Sequence, residues 1–259
     1  MKMKFGCCTE VANAPVVREA GFDFLECTVV SLMPEKEEEF ESILRAYEES
    51  VLPVEVCNIF LPGSLKIVGE SVDESAIQRY LEKAMPRVKQ IGADTIVFGS
   101  GAARSLPENF SYEKGEEQII RFLNTAADYA ESLGLTIVIE PLNEKESNIM
   151  NTIPEAVGMA EKINRNSIQV LADFYHMEEE REALEHLVTY KNYIKHVHVA
   201  DTNRRAPGTG KYPYNKFISC LDWSNYEGRI SVECKWGEFE QEVKAAGEFL
   251  HDCFNKTKI

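Results

Sequence analysis

The sequence predicts an α/β protein of the (β/α)8 barrel type, and three observations carry that expectation. Short apolar runs rich in β-branched residues alternate with amphipathic helical segments along the chain, the pattern of parallel strands joined by crossover helices. Eight such units fit into 259 residues, the size of one closed barrel. Runs such as Thr136–Ile139 are apolar on both faces, as strands covered on both sides are. An open, doubly wound sheet is disfavoured because no glycine-rich nucleotide turn follows the first strand. Neither linker, low-complexity segment nor repeat interrupts the pattern, so a single domain over residues 1–259 is expected.

Taken in order, residues 4–9 read as the first strand and 11–20 as a helix stopped by Gly21, a usual helix-end residue. The second strand, 22–30, carries Glu26 in an apolar setting. Residues 35–49 are an acidic helix in which Phe40, Ile43, Leu44 and Tyr47 fall at helical spacing. The third strand spans 53–60. Residues 73–90 form a long helix ended by Gly92, and Pro86 inside it predicts a kink. The fourth strand, 94–100, runs into Gly99-Ser100-Gly101. That turn could hold a phosphate but lacks the spacing of a P-loop or a dinucleotide fingerprint. A helix over 113–133 presents the core stripe Ile119, Leu123, Ala126, Ala130 and Leu133, and Gly134 stops it. The fifth strand, 136–139, follows. Residues 152–163 start as a helix should, with Thr152 as N-cap, Pro154 early and Glu155 three residues after the cap. The sixth strand is 168–172, with a helix expected over 179–190. The seventh strand, 194–200, leads into a polar loop over 202–210 and a short helix over 214–221. The eighth strand, 229–233, and a helix over 239–254 complete the chain.

Composition narrows the partners. There are 28 Lys and Arg against 43 Asp and Glu, a net charge of -15. Such a surface is poorly suited to gripping a phosphate backbone or an anionic membrane. No apolar run approaches the roughly 18 residues of a bilayer span, and the first residues enter a strand with no sign of a signal peptide. Seven cysteines, an odd number without a CxxC pair, fit reduced thiols in a cytoplasmic protein. Cys7 and Cys8, adjacent in a strand, point to opposite faces, which favours core packing over a metal or redox site.

Chemistry enters at the strand ends. The fifth strand delivers Glu140, then a proline and a polar turn. VLADFYH places Asp173 after an apolar run, with His176 three residues on. IKHVHVAD places His198 in the seventh strand, and RISVECKW places Glu233 in the eighth. In a barrel the chemistry sits at the C-terminal ends of the strands, so these four side chains converge on one side of the mouth. With no Cys among them, Glu140, Asp173, His198 and Glu233 suit Mn2+, Mg2+ or Co2+, and they also accommodate Zn2+. Three carboxylates, about -3 in formal charge, repel one another unless a cation sits between them. A divalent ion would also leave positions for two substrate oxygens and acidify the C–H beside a carbonyl. Glu140 and Glu233, on opposite sides of a substrate, are then the candidates for removing and returning the proton. Glu146, His176 and Arg204 each follow a ligand-bearing strand and are read as substrate contacts. His196 lies one layer deeper than His198 and reads as a hydrogen-bonded core residue. His186 and His251 lie on helices and read as surface residues.

At these residues the chain resembles the xylose isomerase-like TIM-barrel superfamily of sugar isomerases and epimerases. The motifs are IEPLN with Glu140, LADFYHM with Asp173 and His176, HVHVADTNRRAPGTG with His198 and Arg204, and VECKW with Glu233. The resemblance covers the whole barrel, is strongest over 135–236, and points to ketose 3-epimerases of the tagatose and psicose type. It implies one divalent ion held by Glu140, Asp173, His198 and Glu233, and proton shuttling at C3 by the two glutamates through a metal-bound enediolate. It further implies that Glu146, His176 and Arg204 hold the O1–O2 end of a sugar, and that the protein is a homo-oligomer. Two departures bear on the substrate. Phe98 and the 99–101 turn stand where ketose epimerases often carry a tryptophan, and residues 211–214 lack the acidic residue many relatives have. Related branches use the same ligands for inosose or hydroxypyruvate isomerisation, or for dehydration. A DNA-repair nuclease of this barrel needs histidines from the early strands, yet the first 175 residues contain none. A non-catalytic sugar-binding protein is disfavoured by the complete ligand set. A phosphorylated substrate would require a cationic cradle, for which Arg104, Arg204, Arg205 and Lys211 are the candidates.

Overall fold

The computed structural model describes residues 3–33 and 37–256. Eight strands form one closed, all-parallel barrel. They are β1 (Lys4–Cys8), β2 (Phe24–Thr28), β3 (Val54–Asn58), β4 (Thr95–Phe98), β5 (Thr136–Ile139), β6 (Ile168–Asp173), β7 (Ile194–Val199) and β8 (Arg229–Val232). Closure is made by β1 against β8, with Lys4 opposite Arg229 and Cys7 opposite Val232. Helices cover the outer face, and most of the apolar core lies between them and the strands. Among the described residues no helix is long and apolar enough to cross a membrane.

The local signals explain most element boundaries. Asp73 caps the helix Glu74–Gln90 by accepting from the Ala76 amide at 2.9 Å, and that helix runs undivided through Pro86. Thr152 and Glu155 form the expected capping box, the Glu155 carboxylate accepting from the Thr152 amide at 3.0 Å. The helix Tyr112–Leu133 ends at Gly134 in a left-handed conformation. The acidic helix is described from Glu37 to Glu48; Glu35 and Lys36, its expected start, lie outside the described residues.

After β6 the structure departs from the expectation. A helix over 179–190 is not formed; instead Phe174–Glu179 is helical at once, and a single turn, His186–Thr189, follows. Asp173 is the cause. Its Oδ1 accepts from the amides of Tyr175 (2.7 Å) and His176 (3.3 Å), so the strand residue is also the N-cap. Arg181, with φ 53°, turns the chain out of that helix.

Inside the barrel the side chains form layers, because every second residue of a strand points inward. Phe24, Val56, Val97, Val138 and Leu171 make one apolar layer. His196 and Ser231 occupy it on β7 and β8, 3.3 Å apart. Phe24 is accommodated because β1 supplies Gly6, where a β-carbon would overlap the Phe24 ring. The next inward positions, two residues on, are Cys8, Glu26, Asn58, Gly99, Glu140, Asp173, His198 and Glu233. The apolar layer is thus the floor on which the polar layer stands. Gly6→Ala should lower stability by about 1–3 kcal/mol through overpacking, read as a reduced urea midpoint with an unchanged slope; an unchanged midpoint would show that the Phe24 ring is not held there.

Candidate active site

The structure brings together the four side chains expected at the mouth. One ligand-type atom from each of Glu140, Asp173, His198 and Glu233 lies within 4.8 Å of all the others. His198 Nδ1 is 3.2 Å from Glu140 Oε1, 3.4 Å from Glu233 Oε2 and 4.0 Å from Asp173 Oδ2. Glu140, Asp173 and His198 are buried, and the Glu233 side chain keeps 18% exposure. Gly99 makes this packing feasible, since a β-carbon there would collide with Glu140 Oε2.

A fifth residue, Glu26 of β2, belongs to the same layer. Its two carboxylate oxygens accept from His196 Nε2 and His198 Nε2, both at 2.8 Å, with all three side chains fully buried. The apolar surroundings of Glu26 in sequence are a signal, but its partners lie about 170 positions away and only barrel closure reveals them. The consequence is directional: with Nε2–H committed to Glu26, His198 turns Nδ1 towards the three other carboxylates.

The electrostatics follow from that crowding. Burial would raise the Glu26 carboxyl, but His198 and His196 hold it well below the usual range. Burial would lower His198, yet Glu26 and Glu233 raise it well above an ordinary imidazole. Burial, with Glu233 close by, raises Glu140. Burial pushes Asp173 up to about 6 against the pull of Arg204 and His198. Glu233 goes the other way, to about 2, because His198 and Arg204 outweigh its burial.

The three residues expected to contact substrate stand beside this cluster. Arg204 pairs with Glu233 through Nη2, and its Nη1 lies 3.1 Å from Glu146 and 3.5 Å from His176 Nε2. Its guanidinium also lies over the Tyr175 ring, 5.1 Å from the centroid. His176 Nδ1 accepts from the Asn143 amide at 3.0 Å, which puts the ring proton on Nε2, the atom facing Asp173 Oδ2 at 3.7 Å. Burial keeps this imidazole below its ordinary pKa. Asp201 shapes the loop that presents Arg204: its carboxylate accepts from the amides of Thr202, Gly208 and Tyr212 at 2.8–3.2 Å. Asn203 and Arg204 themselves adopt left-handed φ of 61° and 58°.

A divalent cation fits this donor set. Asp173 Oδ2 is buried without a hydrogen-bond partner, an expensive condition for a carboxylate oxygen in a protein interior. It points into a cluster of two more carboxylates and an imidazole nitrogen whose opposite edge is anchored by a carboxylate, the usual outer support of a metal-ligating histidine. These are hard and borderline donors, suited to Mn2+, Mg2+, Co2+ or Zn2+.

The phosphate cradle does not assemble. Arg104 is fully buried and donates to the backbone carbonyls of Phe98 (2.9 Å), Glu140 (2.8 Å) and Met150 (3.5 Å). It therefore braces the ends of β4 and β5. Arg205 is 59% exposed and pairs with Glu242 at 3.6 Å, and Lys211 is exposed. The 99–101 turn is filled too, for a β-carbon at Gly101 would meet the Glu146 carbonyl oxygen at 2.6 Å. His186 and His251 have polar partners, Glu182 Oε1 at 2.8 Å and the Gly21 carbonyl at 3.0 Å. None of the seven cysteines is joined in a disulfide. Cys7 packs in the core, whereas Cys8 lines a cleft of about 740 Å3 on the β1–β3 side of the mouth, together with Glu26 and Asn58.

Relatives share both the sequence and the architecture. A D-psicose 3-epimerase of Agrobacterium fabrum is 26% identical over 231 residues, 84% of this chain and 76% of its own length. A 3-dehydro-D-guloside 4-epimerase of Escherichia coli is 25% identical, covering 84% of each chain. The structure of a D-allulose 3-epimerase from a Methylomonas species, in complex with D-allulose, superposes with a TM-score of 0.85 at 19% identity over 97% of both chains. The family model described as the xylose isomerase-like TIM barrel matches residues 15–253, and the chain belongs to that family.

Proposed function

We propose that this chain is a divalent-metal-dependent sugar epimerase that removes and returns a proton at a carbon next to a carbonyl, with ketose 3-epimerisation as the specific reaction. One observation carries the reading: a buried layer in which Glu140 and Glu233 approach from β5 and β8, with Asp173 and His198 between them. The relatives named above are epimerases of keto sugars, which agrees with it.

Glu140, Asp173, His198 and Glu233 would hold the ion. When bound, it would supply Lewis acidity, polarising the carbonyl and stabilising the charge that develops on its oxygen. The chain's own residues do the rest. Glu233 takes the proton from one face of the reacting carbon, and Glu140 returns one to the opposite face. In the reverse direction the two exchange roles. Arg204, His176 and Glu146 grip the carbonyl end of the sugar. For Arg204 this means exchanging its contacts with Glu233 and Glu146 for substrate oxygens, which frees the Glu233 carboxylate to act as a base.

Three outcomes are expected. In D2O with Mg2+, the wild-type protein should exchange the carbon-bound proton beside the carbonyl of its keto sugar. Glu233→Gln and Glu140→Gln should each slow that exchange by about 10^2–10^4-fold, and wild-type exchange in either variant would remove that residue from the mechanism. A new sugar signal identifies epimerisation, whereas loss of a hydroxyl would identify dehydration instead. Arg204→Ala should raise KM or slow turnover with Mn2+ still bound at wild-type stoichiometry by calorimetry; loss of the metal would reassign Arg204 to the metal centre. Glu26→Gln should weaken Mn2+ binding by about 10–100-fold, the usual effect of removing the group that orients a ligating histidine, and calorimetry of the folded variant reads this without any substrate.

A further inference from the structure

Cys8 is a member of the polar layer that the proposed chemistry does not use. The expectation that Cys7 and Cys8 pack in the core holds for Cys7 only. Cys8 lies opposite Glu26 in the β1–β2 register and is half-buried at the cleft on the β1–β3 side of the mouth. Its Sγ, a Glu26 carboxylate oxygen and a His198 nitrogen all lie within 4.8 Å of one another. The nitrogen that meets Glu26 is Nε2, 2.8 Å from Oε1. Glu140, Asp173 and Glu233 stand at the opposite edge of the ring, around Nδ1. A fourth donor lines the same cleft. Asn58 is 6% exposed, its Nδ2 is fixed on Glu233 Oε1 at 3.2 Å, and its Oδ1 is buried without a hydrogen-bond partner. An oxygen left unpaired in a protein interior is costly until a cation or a donor reaches it.

A thiolate beside an imidazole and a carboxylate is a softer donor set than the four residues at the other edge. It selects Zn2+ and its thiophilic relatives over Mg2+ and Mn2+. Zinc bonds of about 2.0–2.3 Å place tetrahedral ligand atoms roughly 3.3–3.8 Å apart. Glu26 Oε1 and His198 Nε2 therefore part by about half an ångström when an ion replaces the proton between them. Glu26 Oε2 keeps its bond to His196, so the carboxylate ligates through one oxygen. The exchange balances: the Cys8 thiol proton leaves to solvent, and the ring proton moves from Nε2 to Nδ1. That shift reaches the far edge of the ring. A neutral imidazole has one N–H and one acceptor nitrogen. A ring that ligates a cation through Nε2 carries its proton on Nδ1, the nitrogen aimed at the three other acids.

We propose that Cys8, Glu26 and His198 Nε2 form a second cation site, for a thiophilic ion of the Zn2+ class, and that filling it excludes the ion held at Glu140, Asp173, His198 and Glu233. One imidazole is thus a two-way switch between a hard and a soft metal. The exclusion rests on the metal-dependent reading above. The test uses no sugar. The whole protein is titrated with Cd2+, whose sulfur-to-metal charge-transfer band in the ultraviolet reports a thiolate ligand, and the titration is repeated at rising Mn2+. The carboxylate site contains no sulfur and stays silent. The band should saturate at one Cd2+ per chain and vanish in Cys8→Ser and in Cys8→Ala, either of which serves if the other fails to fold. Once Mn2+ saturates its own site, a further tenfold Mn2+ should raise the apparent Kd for Cd2+ by about tenfold, as mutual exclusion requires. Cd2+ bound without the band, or a band that survives in the Cys8 variants, overturns the site. A band indifferent to bound Mn2+ overturns the exclusion. In each of these cases the epimerase reading stands. Failure of Mn2+ to bind in the absence of Cd2+ is a separate result, which overturns the metal-dependent reading and the exclusion with it.

Discussion

Four carboxylates, from Glu26, Glu140, Asp173 and Glu233, converge on one layer at the mouth of a closed barrel, and the remainder of the site makes that concentration of charge tolerable. His198 sits at its centre, bonded to Glu26 through one nitrogen and facing the other three acids through the second. Arg204 neutralises the outer edge at Glu233. A buried carboxylate without such partners would take up a proton, and Glu140 and Asp173, the two with least compensation, are the ones shifted upward. The same imbalance is one that a divalent cation between the acids would relieve.

Closure of the barrel creates this constraint. Each inward side chain owes its position to the period of two along its strand, and the polar layer stands two residues beyond the apolar one on every strand. The apolar layer is rigid because Phe24 is packed against the backbone of β1 at Gly6. The polar layer is equally tight on its β4 side, where Gly99 gives its volume to Glu140. Arg104 then fixes the ends of β4 and β5 through their carbonyls. A cationic residue that looks available for a ligand is in fact part of the frame that aims Glu140.

Much of this is legible in the sequence, for identifiable reasons. Apolar strands that end abruptly in Glu140, Asp173 and Glu233 announce a barrel mouth, because the strand period and the ligand residue coincide within a few positions. Residues whose role depends on closure are less legible. Glu26 stands out only as an acid in an apolar strand, and its two histidines come from the seventh strand. Asn58 carries no local signal, and its contact with Glu233 spans 175 positions. Local competition explains the other departure. The helix expected from 179 begins five residues earlier because Asp173 caps the chain at Phe174, and in doing so turns one of its oxygens into the cluster.

The ring of the polar layer is divided unevenly, and the division has a functional sense. From β5 to β8 it carries Glu140, Asp173, His198 and Glu233, the residues to which the proposed function assigns cation binding and proton transfer. From β1 to β4 it carries Cys8, Glu26, Asn58 and Gly99, of which only Glu26 is charged, and that carboxylate is fully spent on the two histidines. The first half therefore presents a neutral face to whatever lies over it, bordered by Ile59, Trp236 and Phe239. Because the floor beneath both halves is one packed layer, substitutions there disturb chemistry and fit together. Above the floor they separate: side chains at Cys8, Asn58 and the cleft wall can vary in size without moving the four acids' backbone. On the proposed function, a barrel built this way keeps one proton-transfer apparatus in its second half and leaves its first half free to vary with the sugar.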